Sequence, residues 1–171
     1  DAMFAFVDPS QTLSEAEMKR LEVDPQDVVH VDTGLGEFDH HQPNRARQQI
    51  SASSLVYDHV CQVHPDLKND QALKEMVDFI TDIDHFGELY WPTADHYRYN
   101  FMLPQIIHGI EFIELHNDDS QLHFGFTCLE GVYSAMKQHV AAEKILKEEA
   151  NYYDLQAGRM MAVETKNDDV L

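Results

Sequence analysis

Asp32, Asp39, His40 and His41 fall within ten positions of one another, joined by the turn Thr33-Gly34-Leu35-Gly36. Carboxylates and imidazoles with no thiolate among them form a donor set for Mn, Fe, Co or Zn ions, and the surplus of oxygen donors leans toward Mn²⁺. An aspartate can bridge two ions, because each of its oxygens can bind one. The chemistry open to such a centre is hydrolysis by a metal-activated water. With 18 Asp and 11 His in the chain, random placement gives roughly 0.07 copies of Asp-His-His, so a functional reading stands beside the structural one. In the structural reading these side chains serve only to hold together an acidic domain.

A fifth candidate lies further along. Leu73, Val77, Ile80 and Asp84 recur at three- and four-residue spacing, so a helix over 71–84 carries Asp84 on the side of its apolar residues. A lone carboxylate on such a face costs several kcal/mol unless it is paired, hydrogen-bonded or on a metal. Asp84 is therefore either a ligand or a cap on the turn His85-Phe86-Gly87. Asp78 and Asp82 point away from that side and read as solvated.

These residues need elements to position them. Residues 2–7 read as a short buried strand ended by Asp8-Pro9-Ser10. Ser14-Glu15-Ala16-Glu17 is a capping box that opens a helix to about residue 23, before Asp24-Pro25. Val28-Val29-His30-Val31-Asp32 is a second strand that closes on an acid, the end at which open α/β sheets keep their sites. A short extended piece over 37–42 follows, stopped by Pro43-Asn44. Helical periodicity covers 53–64, 71–84, 104–115 and 121–156, with Pro104 as a first helical residue and Gly158 as a stop. Residues 159–165 read as a further strand. The predicted class is α/β, a parallel sheet flanked by helices with a helix-rich second half. Residues 1–158 form the metal-binding domain, and 159–171 begin a following strand or domain.

Composition narrows the function further. Thirty-one Asp and Glu face 12 Lys and Arg, a net charge of −19, which excludes a basic face that grips extended nucleic acid. The longest apolar run, six residues, is far short of the roughly 20 a membrane span needs. Cys61 and Cys128 share no metal-binding spacing and read as reduced thiols of a cytoplasmic protein. Arg45 and Arg47 read as a solvated loop. His59, His64, His96, His108, His116, His123 and His139 read as structural or solvated, and His30 as core or support for Asp32. His85 adjoins Asp84 and is the exception among the scattered histidines. The aromatic stretch over 86–101 reads as a packed loop, with base stacking as its alternative. A start at Asp1 and an apolar end at Val170-Leu171 read as a fragment cut at both ends.

In order, Val31-Asp32-Thr33-Gly34, Phe38-Asp39-His40-His41-Gln42, Ser51-Ala52-Ser53-Ser54-Leu55-Val56-Tyr57 and Asp82-Ile83-Asp84-His85-Phe86-Gly87 resemble the DHH phosphoesterase superfamily. Within it they resemble most the melanocyte proliferating gene family of metal-dependent hydrolases and exonucleases. The resemblance implies that Asp32 bridges two divalent ions, Mn²⁺ by preference, that His40 binds one of them and that Asp84 completes that ion's shell. It gives His41 and Asp39 the catalytic roles: His41 faces the substrate phosphate and Asp39 orients the histidines. The implied function is hydrolysis of a phosphodiester or phosphoanhydride in a small phosphorylated substrate or a nucleic-acid end. The alternative is a non-catalytic metal- or nucleotide-binding regulatory module of the same fold.

Three departures qualify the resemblance. The spacing from Asp32 to Asp39 is short, His85-Phe86-Gly87 replaces an Asn-Gly turn, and the family's first motif, a histidine followed by acids, does not occur. The expectation is that these 171 residues bind Mn²⁺ weakly and hydrolyse slowly.

Overall fold

The computed structural model describes residues 3–45, 47–115 and 117–167, so Ala2, His116 and the terminal Val170-Leu171 lie outside the described residues. The chain divides into two compact units, Asp1–Asn69 with Lys74–Met102, and Asp70–Leu73 with Leu103–Leu171. Most of the described chain is helical.

In the first unit, α1 (Glu15–Leu21) begins at the expected capping box: Ser14 Oγ accepts from the Glu17 amide at 3.3 Å, and Glu17 accepts from the Ser14 amide at 3.0 Å. The chain then runs through a 3-10 turn, Pro25–Asp27, into the extended residues before Asp32. His30 accepts from the Leu13 amide at 3.0 Å and so holds this stretch against the start of α1. A second capping box opens α2 (Ala52–Val63), where Ser51 Oγ receives the Ser54 amide at 3.1 Å and Ser54 Oγ receives the Ser51 amide at 2.9 Å. Ser51 is buried, and its hydroxyl also meets Thr81 Oγ1 on α3 (Gln71–Asp84) at 2.7 Å.

That single hydroxyl ties the start of α2 to the site end of α3. Ser51→Ala is expected to lower stability by about 2 kcal/mol, the sum of a lost cap and a buried hydroxyl left without its partner. Urea unfolding measures it, and a change under 0.5 kcal/mol would refute this role.

The parallel sheet is not found. Among the described residues the sheet structure is one antiparallel hairpin in the second unit, β1 (Asn151–Leu155) with β2 (Gly158–Ala162), plus an isolated parallel bridge from Val31 to Phe38 in the first. The physical reason lies in the partners. A buried strand must hydrogen-bond to neighbours on both edges and cover both faces, and the two apolar segments lack that cover. Met3, Phe4, Phe6, Val29 and Val31 remain 47–65% exposed. The β-branched residues around Val28 do not pair into a sheet, and residues 3–7 carry no regular structure.

In the second unit, Asp70 caps the first turn of α3 through the Leu73 amide at 2.9 Å and also accepts the Tyr133 hydroxyl. That hydroxyl and the helix-cap amides hold the Asp70 carboxyl below its ordinary value and push Tyr133 up. α4 (Leu103–Ile113) packs on α5 (Asp118–Glu149), and α5 stops before the expected residue 156. Ala150 is extended, and Tyr152 and Tyr153 pair across to Met161 and Met160. Gly158 thus opens β2 and does not end a helix. Among the described residues no helix is long and apolar enough to cross a membrane.

Candidate metal centre

The site lies wholly within the first unit and is built on irregular backbone. Asp32 has φ of +59°, the left-handed region that an aspartate tolerates better than most side chains. Its amide donates to Phe38 O at 3.0 Å, which fastens the start of the turn to its end. Gly34, with φ of +75°, passes so close to Thr12 that a Cβ there would sit 2.6 Å from Thr12 Cγ2. Arg45 donates to the carbonyls of Glu37 and Asp39. It braces this loop internally, which corrects its reading as a solvated residue.

Asp39 is the organiser. It is 1% exposed and the largest fully buried side chain among the described residues. Its Oδ2 accepts from the Leu35 amide at 2.7 Å, and its Oδ1 accepts from the His41 amide at 3.0 Å and His41 Nδ1 at 2.7 Å. Burial alone would raise the Asp39 carboxyl, but these hydrogen bonds and the His41 charge outweigh it and hold the group below its ordinary value. The hydrogen bond to Asp39 raises His41 against the opposing effect of burial, with the Asp32, Asp39 and Asp84 charges adding to it.

His40 is the shared member of the site. Asp32 Oδ1 lies 3.5 Å from its Nε2, and Asp84 Oδ2 lies 3.3 Å from its Nδ1. His41 Nδ1 is 3.8 Å from the same Asp32 oxygen. Burial raises the Asp32 carboxyl; the two histidines pull it down and the Asp84 and Asp39 charges push it up. Asp84 is the last residue of α3 and is partly exposed, not sunk in an apolar face. Asp82, expected to be solvated, instead lies against Gly87, where a Cβ would meet its carboxylate at 2.1–2.3 Å.

Two further participants join the site, the Ile50 carbonyl and His85, the histidine that the sequence sets apart from the other scattered ones. The Ile50 carbonyl lies 2.8 Å from His40 Nδ1 and 2.9 Å from His85 Nε2, accepting from both rings. His85 thereby joins the site, its ring 6.0 Å from that of His40. Adjacency to Asp84 was its sequence signal, whereas a main-chain carbonyl gives none. The aromatic stretch behind it is partly stacked, Phe79 on Trp91 at 5.8 Å and Trp91 near Tyr99 at 5.4 Å, while Tyr90, Tyr97 and Phe101 are largely exposed.

The donor atoms fit a first-row divalent ion. Those of Asp32, His40 and His41 lie within 4.8 Å of one another, as do those of His40, Asp84 and His85. Two bonds of about 2.0–2.2 Å to one ion span donor separations of roughly 3–4 Å, which covers the 3.5 Å between Asp32 Oδ1 and His40 Nε2, the ring nitrogen not committed to the Ile50 carbonyl. Comparison with protein-family models, with curated proteins and with solved structures finds no match to this chain. The resemblance to DHH phosphoesterases therefore rests on the ordered motifs alone.

Proposed function

We propose that this chain carries the metal-binding part of a phosphohydrolase, acting on phosphodiester or phosphoanhydride bonds. The convergence of Asp32, Asp84 and His41 on the His40 ring carries the reading, and the ordered motifs point the same way. Asp32 and His40 Nε2 would hold the ion, Mn²⁺ by its donor set, with Asp84 beside the other nitrogen of the same ring. A bound ion supplies a water of lowered pKa and positive charge beside the phosphoryl oxygens.

The chain's own residues supply orientation and a proton donor. His41 commits Nδ1 to Asp39, so Nε2 is the nitrogen left to face a substrate. The same bond raises His41 above its ordinary value, which favours the form that donates to a phosphoryl or leaving oxygen. Asp39 fixes the ring in that direction and touches no substrate itself. The surface, at −19, gives no long-range attraction to a polyanion, so a small phosphorylated molecule or a single nucleic-acid end suits it better than a long strand. The free thiols Cys61 and Cys128 support a reducing, cytoplasmic setting.

The test is hydrolysis of bis(p-nitrophenyl) phosphate and of pyrophosphate by the 171-residue chain with Mn²⁺ or with a chelator. A Mn²⁺-dependent rate, however small, that falls at least about 100-fold in Asp32→Asn is expected. Equal rates in wild type and Asp32→Asn, or with and without Mn²⁺, would sink the reading.

A further inference from the structure

Arg45 carries more than its bracing of the loop requires. Its Nη1 donates to Glu37 O at 2.9 Å and to Asp39 O, and its own amide donates to Gln42 O at 2.8 Å. Side chain and main chain are both fixed on the loop that presents His40 and His41. The acceptors of the guanidinium are neutral carbonyls. Among the described residues the ion pairs of lysine and arginine lie elsewhere, at Lys74, Lys147 and Arg159. Arg45 thus keeps a partly buried charge with no carboxylate against it, in a chain with 31 acids.

The guanidinium also has an edge to spare. Among the described residues the buried side-chain atoms without partners are Gln42 Oε1 and Glu88 Oε2, so Arg45 Nε and Nη2, likewise unpartnered there, open to solvent. Those two N–H groups lie side by side, the fork that takes two oxygens of one phosphoryl group. Held by two carbonyls, the fork loses little freedom on taking an anion. Asp39 O belongs to the peptide bond that leads to His40, and the Asp39 carboxylate holds His41 Nδ1 at 2.7 Å. The spare edge is therefore carried by the same loop as the metal-binding ring and the ring that faces a substrate.

Resting on the metal-centre reading above, we propose that Arg45 is a specificity-determining residue whose Nε and Nη2 hold the phosphoryl group next to the one being cleaved. The scissile group already has the ion and His41 Nε2 beside it, and a guanidinium tied to the main chain of the loop suits the next group along. The substrate class is then a molecule with two adjacent phosphoryl groups, in preference to an isolated phosphodiester.

The test is equilibrium dialysis of the full chain against pyrophosphate and against inorganic phosphate at one fixed free Mn²⁺ concentration, with Mn²⁺ affinity followed separately by electron paramagnetic resonance. Wild type holds pyrophosphate more tightly than phosphate. Arg45→Lys keeps the charge and can still donate to the two carbonyls, but it has no second edge. It weakens pyrophosphate at least about 10-fold, while phosphate and Mn²⁺ binding change by no more than about 3-fold. Arg47→Gln, at an exposed position two residues on, is the control and changes none of the three by more than about 3-fold.

Pyrophosphate binding unchanged in Arg45→Lys, or weakened as much in Arg47→Gln, would overturn the inference and leave the metal-centre reading intact. So would equal losses for phosphate and pyrophosphate, or a parallel loss of Mn²⁺, either of which would make Arg45 a brace alone. A wild type that binds Mn²⁺ but neither anion would overturn it too. Absence of Mn²⁺ binding in wild type would overturn both.

Discussion

Asp39→Ala is expected to lose about 3–5 kcal/mol of stability, a large share of the 5–15 kcal/mol typical of a domain. The carboxylate is 1% exposed and accepts three hydrogen bonds, from the Leu35 amide, the His41 amide and His41 Nδ1. Alanine leaves two part-buried amides, of Leu35 and His41, without acceptors, each costing roughly 1–3 kcal/mol with partial exposure favouring the lower end, and opens a small void besides. Asp39→Asn keeps a carbonyl acceptor, loses the charge and is expected to cost about half as much. Urea denaturation at pH 6 measures both; an alanine variant within 1 kcal/mol of wild type would mean the carboxylate does not organise the loop.

The same pair sets a pH window. Asp39 is held below its ordinary value, so its contribution is present above an unfolded value near 3.9 and disappears as pH falls through the lower folded value. His41 is held above its ordinary value, so its contribution is complete below about 6.5 and disappears as pH rises through the higher folded value. More than half of the His41 side chain is exposed, so solvent screening keeps its share small. Stability from this pair is greatest between about pH 4 and 6.5, with the steeper loss on the acid side. Asp39→Asn flattens the acid limb.

The second large effect is on the ion. His40→Gln is expected to weaken Mn²⁺ binding at least about 100-fold, beyond the 10- to 100-fold typical of losing a residue that only orients a ligand. His40 belongs to both groups of three donors, Asp32–His40–His41 and His40–Asp84–His85, so its removal leaves neither triad complete. Glutamine can still donate to Ile50 O, so the backbone around the ring keeps its bond. His59→Gln is the control, because His59 faces Glu37 and the Phe38 ring and belongs to neither triad. Binding by His40→Gln within 3-fold of wild type would remove the centre from the protein's chemistry.

What could be read in advance follows physical range. α3 was delimited at the same residues, Gln71–Asp84, and α2 within one, because helix periodicity and caps are written in neighbouring side chains. The strands failed for the opposite reason. Residues 28–31 have the β-branched composition of a buried strand, but composition does not supply the neighbouring edges that would pair with it, and a sheet is made of long-range partners. The hairpin is half legible: 159–165 reads as a strand, while its partner, Asn151–Leu155, continues the periodicity of a long helix.

The site divides along the same line. Asp32, Asp39, His40 and His41 announce themselves by residue type and spacing, and the geometry gathers all four. Arg45 was misread because its partners, the carbonyls of Glu37 and Asp39, have no side-chain signature. His85 could be suspected only from standing beside Asp84.

The oxygen of Ile50, which receives both His40 and His85, belongs to the main chain. The bond itself therefore sets no side-chain requirement at position 50, as long as the polypeptide keeps its path, and residue identity does not mark the hub of the centre. Alanine scanning would pass over it for the same reason. Backbone editing, an ester in place of the peptide bond between residues 50 and 51, weakens that carbonyl as an acceptor; it also removes the Ser51 amide that donates to Ser54 Oγ, so Ser54→Ala is its control.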